Sequence, residues 1–327
     1  MNITSIRTVD YHAGGEPFRI VTDVPPIAGA TVAEKRVTAL SDPDIDGLRA
    51  LLCCEPRGHA DMYGGFIVPP DDAGAHFGVL FWHKDGFSTA CGHGTIALGA
   101  WAVRSGRVPA SPSGVTDVVI DVPSGRVRAR VSTDGGRVVS VDFVNVPSYG
   151  LHDAVLVPTS RGEVSCGISF GGAIYAHLPA AAVGLDVSVA SLPALIELSR
   201  EIKAFLSPAD YASHPLDDRL SGIYGVIYFA DEGTGPDGAL RQRNVTVFAD
   251  GEVDRSPCGS GTCARVAALH AAGELTPGQV LAHTSISDAT WLARVETVTR
   301  AAGRAAVLPV VSGRAYLTGE HRFVVDP

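Results

Sequence analysis

The chain has 327 residues, of which 46% are hydrophobic and 19% charged, with mean hydropathy +0.18, and at this length and apolar content two cored domains are expected rather than one or a disordered chain. A net charge of −9 and the lack of any Lys/Arg block exclude a surface that tracks nucleic-acid phosphates. No apolar run approaches the ~18 residues of a spanning helix, and Met1–Arg7 lacks the basic and apolar regions of a signal peptide, so the expectation is a soluble cytoplasmic protein.

In chain order, Ile3–Val9 alternates like an opening strand and runs into the turn His12-Ala13-Gly14-Gly15-Glu16-Pro17, with Phe18–Val21 extended after it. Thr31–Leu52 has helical spacing, with Ser41-Asp42-Pro43-Asp44 as an internal helix start and Glu55–Gly58 as the stop. Ala60–Val68 and Phe77–Trp82 read as strands. Ile96–Val103 reads as a helix ending near Arg104-Ser105-Gly106. Three strands follow as a meander, Val118–Val122, Val127–Val131 and Val138–Val144, and Pro147–His152 is the candidate boundary between halves 1–150 and 151–312. The second half offers strands at Ala154–Pro158 and Gly162–Phe170, a second Gly-Gly at 171–172, a helix over Val189–Phe205, and strands at Gly222–Ala230 and Asn244–Phe248. A helix at Cys263–Ala272 precedes closing strands at Ile286, Trp291–Val295, Ala305–Val311 and Arg314–Leu317, and 313–327 is expected to return to the first half.

The order of elements repeats, and so does one short string. Cys91-Gly-His-Gly-Thr95 and Cys258-Gly-Ser-Gly-Thr262 lie 167 positions apart, each leading into a helix. Two related halves are the simplest source of such a pattern. Glycines at a helix entry let the backbone approach a ligand, and the first helical N–H groups, with the dipole, hold an anion such as a carboxylate. A cysteine there is expected to have its thiol pKa lowered by the dipole. One sulfur on each side of a carboxylate-anchored substrate makes a two-base site: one removes the α-proton and the other delivers a proton to the opposite face, with fixed N–H donors stabilising the charge that develops. Asp254 and His93 could hold an amine.

Plainer roles compete. Six cysteines in a chain this long are no disulfide framework, and Cys53, Cys54, Cys166 and Cys263 lack the glycine frame and read as packing residues. A metal site from Cys91, His93 and Cys258 matches no zinc spacing, a thiol hydrolase from Cys91 and His93 leaves Cys258 without a task, and neither glycine string is a phosphate loop. His12 suits a turn as well as a site.

With His12-Ala-Gly-Gly-Glu-Pro17, Cys91-Gly-His-Gly-Thr95 and Asp254-Arg-Ser-Pro-Cys-Gly-Ser-Gly-Thr262 in this order, the chain resembles the proline racemase family along nearly its whole length. The resemblance implies an α/β fold of the diaminopimelate epimerase-like type, with two pseudo-symmetric domains each wrapping a sheet around a central helix, an active site in the interdomain cleft, and often a homodimer. It implies Cys91 and Cys258 as the acid/base pair, Gly92, His93, Gly259 and Ser260 as holders of substrate carboxylate and amine, and Asp254 on the substrate nitrogen. The substrate would be a small imino acid, and the reaction needs no cofactor and no metal. Diaminopimelate epimerases look like Cys-Gly-Asn-Gly in the first copy, which His93 departs from. Within the family, trans-3-hydroxy-L-proline dehydratases usually resemble Cys in the first motif and Thr in the second, so Cys258 favours inversion at Cα of proline or hydroxyproline, with dehydration as the alternative. Ile223-Tyr224-Gly225 and Phe248–Gly251 resemble the dehydratase and proline racemase branches more than the hydroxyproline epimerases, and Ser88-Thr89-Ala90 before Cys91 differs from the Met-Cys-Gly-His of many epimerases.

Overall fold

The computed structural model describes residues 5–208 and 210–325; Ile3 and Thr4 of the first expected strand, and Asp326 and Pro327 of the return segment, lie outside the described residues. The chain forms two compact units, one ending at Phe143 and resuming at Gly313, the other Val144–Ser312.

In the first unit, β1 (Ser5–Ala13) and β2 (Glu16–Val21) pair antiparallel, closed by Gly14-Gly15 at φ +61° and +88°, a left-handed pair that glycine adopts without a Cβ clash. A helical crossover follows. Thr31 and Glu34 form a capping box at the start of α1 (Val32–Ser41). Asp42 then caps α2 (Pro43–Cys53), accepting from the Asp44 and Ile45 N–H groups, while Pro43 occupies the first turn, where its missing N–H costs nothing. The crossover brings β3 (Gly64–Val68) parallel to β2. Next come β4 (Phe77–His83), antiparallel to β3, the short β5 (Gly86–Phe87), helix α3 (Gly92–Arg104), β6 (Gly114–Val122) parallel to β4, β7 (Gly125–Asp134) antiparallel to β6, and β8 (Arg137–Val144).

The second unit repeats this plan. β9 (Tyr149–Thr159) and β10 (Gly162–Phe170) pair antiparallel, as do β10 and β11 (Ile174–Pro179) across Gly171-Gly172. Helix α4 (Leu192–Leu206) carries the chain to β12 (Ile223–Thr234), parallel to β11. β13 (Leu240–Phe248) is antiparallel to β12, the short β14 (Glu252–Asp254) folds back on β13, and α5 (Gly259–Ala271) leads to β15 (Val280–Ser285), parallel to β13. β16 (Thr290–Ala301) and β17 (Arg304–Gly313) complete the run antiparallel. The chain then re-enters the first unit as β18 (Ala315–Val324), antiparallel to β1 from Ser5↔Val324 to Ala13↔Ala315. The neighbour orders are β18·β1·β2·β3·β4·β6·β7 and β9·β10·β11·β12·β13·β15·β16, with the same directions at every step.

Each sheet wraps a helix that is buried nearly all round. Every residue from Gly92 to Ala102 of α3 is buried, against β1, β2, β6, β7 and β18; α5 is buried on β9, β10, β11 and β16. Such helices bring their N-termini, not a side face, to a site. In the first unit Phe66, Leu80, Trp82, Leu48 and Leu52 form the core beneath the crossover helices, each fully buried side chain contributing about 1.5–3 kcal/mol. Three local expectations shift. Both motif helices begin at the motif glycines rather than after them; residues 189–191 form a 3-10 turn ahead of α4, since Pro193 suits the first turn; and Ile286 lies in the β15–β16 turn, not in a strand. The extent of β9 also makes Tyr149–His152, in the expected boundary segment, part of a strand.

Candidate active site

Cys91 caps α3. Its backbone is extended (φ −155°, ψ 107°), and its Sγ accepts the Gly94 N–H at 3.2 Å, the place a serine or aspartate oxygen takes in an ordinary cap. Thr95 donates both its N–H (3.0 Å) and its hydroxyl (2.8 Å) to the Cys91 carbonyl. The His93 ring lies against the sulfur, with Nδ1 at 3.5 Å and Nε2 at 3.6 Å, and stands edge-on to Phe18 and Tyr63. Tyr63 is itself held by Ser88, hydroxyl to hydroxyl at 2.5 Å. A Cβ on Gly94 would sit 2.4 Å from a Phe18 ring carbon and 2.8 Å from the Cys91 sulfur, so this glycine is required by space.

In the second unit Cys258 precedes α5 with φ +63° and ψ 95°, a conformation that a side-chain-bearing residue holds only when its surroundings enforce it. The enforcement can be traced. The Ser256 hydroxyl accepts the Cys258 N–H at 3.1 Å and donates to Asp254 Oδ1 at 2.6 Å, which also accepts the Ser256 N–H at 2.8 Å. The Pro257 carbonyl accepts from Asn244 Nδ2 (3.0 Å) and Thr262 Oγ1 (2.9 Å), and His283 Nδ1 lies 2.8 Å from that threonine hydroxyl. The sulfur is 3.9 Å from the Tyr175 hydroxyl, which bonds the Ser260 hydroxyl at 2.6 Å. Gly261 repeats the constraint of Gly94: its Cβ would lie 2.9 Å from the Cys258 sulfur.

The electrostatics of this half correct the expectation of a lowered thiol pKa. Burial, and then the negative charge of Asp254, push the Cys258 thiol well above its ordinary value, against the opposing hydrogen bonds of Gly261 N–H, Thr246 and Tyr175. Burial thus favours the neutral thiol form of Cys258. Burial also raises Asp254 to about 6, opposed by its bonds from Ser256.

Each predicted group thus assembles within its own unit: Cys91, Gly92 and His93 at the head of α3, and Asp254, Cys258, Gly259 and Ser260 at the head of α5. Within the first unit Cys91 and His93 offer only two donors, fewer than a zinc ion takes. Asn244 and Tyr175 escaped sequence reasoning because they come from distant strands. Ser256 had a signal, a serine two residues before a helix-capping position. His12 serves its turn, with Nδ1 accepting the Gly15 N–H at 3.3 Å. Of the remaining cysteines, Cys53, Cys166 and Cys263 are buried, and burial pushes Cys166 up to about 12 and Cys263 upward as well. Cys54 is exposed at the end of α2, so it is not the packing residue expected.

The profile of the family described as Proline racemase matches residues 8–327. The chain belongs to the proline racemase family. A trans-3-hydroxy-L-proline dehydratase of Bacillus thuringiensis subsp. konkukian is 43% identical over 321 residues, 98% of this chain and 94% of that protein. A 3-hydroxyproline 2-epimerase of Burkholderia multivorans is 41% identical over 324 residues, 98% and 95% of the two chains. Among solved structures, a hydroxyproline epimerase from Agrobacterium vitis with bound trans-4-hydroxy-L-proline superposes with TM-score 0.91 at 29% identity, covering 99% of this chain and 94% of that one. The fold is the α/β, diaminopimelate epimerase-like fold that the family resemblance implied, and no helix among the described residues is long and apolar enough to cross a membrane.

Proposed function

We propose that this member of the proline racemase family inverts Cα of a hydroxyproline or proline, a 3-hydroxyproline first among them, by proton transfer between two cysteines. The observation that carries the reading is a cysteine at the head of both central helices, each sulfur against the N–H of the glycine three residues on. In the enzyme form with Cys91 deprotonated, its sulfur takes the α-proton and becomes a thiol. The electron pair left on Cα delocalises into the carboxylate, which the first N–H groups of α3 and α5, at Gly92–His93 and Gly259–Ser260, stabilise. The Cys258 thiol then protonates the opposite face and is left as thiolate, ready for the reverse direction. The raised pKa of Cys258 supports its role as the first donor. Asp254, ionised above pH about 6, and His93 hold the substrate nitrogen. No cofactor enters the scheme.

A second reading is dehydration, favoured by the 43%-identical relative named for it. The same α-proton is removed, and the 3-hydroxyl leaves as water, yielding an unsaturated ring acid that tautomerises to a cyclic imine. Proton NMR in D₂O, with proline and the trans-3-, trans-4- and cis-4-hydroxyprolines, separates the two. Inversion gives a second diastereomer (for proline, the other enantiomer) deuterated at Cα, whereas dehydration consumes the substrate. Neither exchange nor consumption with any of the four would sink both readings. The homodimer that the family resemblance implies and the cytoplasmic location expected from the sequence remain proposals, which light scattering and cell fractionation test.

A further inference from the structure

A cavity of about 760 Å³ opens in the first unit at the C-terminal end of α3, the end opposite Cys91. At 1.5 Å per residue the 13-residue helix separates the two by about 20 Å. Three guanidinium groups line it: Arg104 from the last turn of α3, Arg137 from β8, and Arg314 just before β18. Among the described residues none of the three guanidinium groups takes part in an ion pair or hydrogen bond, unlike Arg19 with Asp10, Arg126 with Asp121 and Asp72, and Arg128 with Asp117. Tyr11 adds a second, independent sign. The residue is only 3% exposed and lines the cavity, yet its hydroxyl has no hydrogen-bond partner among the described residues. Among the described residues Arg104 and Glu320 are the charged groups that act on it.

We propose that this cavity binds a small polyanion carrying at least two phosphoryl or carboxylate groups. Three exposed, unpaired guanidinium groups line one hollow, and their planar forks match phosphate and carboxylate oxygens. The Tyr11 hydroxyl supplies a neutral donor at the floor, and the volume is in the range of small-molecule sites.

Isothermal titration of the full chain with inorganic pyrophosphate, citrate and acetate tests this. One site per chain is expected for pyrophosphate or citrate, at least tenfold tighter than for acetate, and weaker at 0.3 M than at 0.05 M salt. Arg137→Gln with Arg314→Gln should weaken binding at least tenfold while leaving imino-acid turnover and melting temperature unchanged; Tyr11→Phe should weaken it severalfold. If the double variant folds poorly, Arg137→Gln alone serves, with a smaller loss expected. Equal isotherms for wild type and variant, no binding of either polyanion, or binding only to anionic phospholipid vesicles would each overturn the proposal.

Discussion

The two copies of Cys-Gly-x-Gly-Thr share a helix position, a buried environment and a space-limited glycine, yet they hold their cysteines in different backbone conformations. Cys91 is a relaxed cap, extended, its carbonyl tied to both donors of Thr95. Cys258 is a left-handed residue clamped on both sides, and the matching threonine, Thr262, turns its hydroxyl to the Pro257 carbonyl. The cause lies upstream of the motif. Asp254 and Ser256 precede Cys258 by four and two positions, whereas Phe87 and Thr89 stand there before Cys91. An aromatic side chain joins the core; a carboxylate instead fixes the backbone through Ser256 and charges the pocket. The two helix heads are alike in place; burial, and after it the charge of Asp254, pushes the Cys258 thiol up.

The largest expected effect removes the sulfurs. Cys91→Ala and Cys258→Ala should each lower inversion by 10² to 10⁴ or more, since a positioned acid or base contributes about that much. The comparison predicts that they fail differently: each variant should retain α-proton exchange from one enantiomer only, and opposite ones. NMR of D- and L-substrate in D₂O reads this directly, and exchange of the same enantiomer by both variants would refute the assignment of faces. Exposed Cys54 should be replaced by serine first where alkylation is used to count reactive thiols.

Next is Asp254→Asn. The folded carboxyl titrates at about 6 against an ordinary 3.8, so the fold favours the protonated form. That preference contributes fully to stability below about pH 3.8 and is lost as the pH rises through 6. Asparagine keeps the neutral group, so the variant should be more stable than wild type at pH 8 by on the order of 1–3 kcal/mol and no more stable at pH 4, as read by thermal unfolding. Its KM should rise at least tenfold at pH 8, because the substrate nitrogen loses its ionic partner. A pH-independent stability difference would argue that Asp254 is not the titrating group.

What was legible in the chain follows the same division. The heads of α3 and α5, the Gly-Gly hairpins and the repeating order of elements are local signals, and they could be read because glycine, proline and capping residues act on their own neighbourhood. The diaminopimelate epimerase-like fold and the site cysteines came from strings such as Asp254–Thr262. The thiol state of Cys258 was not legible, because a dipole argument sees the helix but not the depth of burial that overrides it. Nor was Tyr175, which reaches Ser260 and Cys258 from 83 to 85 positions away. Tyr175→Phe should therefore cost roughly 1 kcal/mol in kcat/KM by freeing the Ser260 hydroxyl, without changing the order of substrates in the NMR panel.

The smallest effect tests the backbone itself. With either sulfur gone, alanine and glycine differ mainly in the conformations they allow. At position 258 the left-handed backbone penalises alanine by about 1–2 kcal/mol, so Cys258→Gly should unfold at a higher temperature than Cys258→Ala, by a few degrees for a chain of this size. At position 91 the backbone is extended, which either residue adopts, and glycine's extra chain entropy offsets its better capping; Cys91→Gly and Cys91→Ala should then agree within about 0.5 kcal/mol. Equal gaps at the two positions would mean that the Ser256 and Pro257 clamps do not hold residue 258 in its left-handed form, and that the asymmetry between the motif copies rests on Asp254's charge alone.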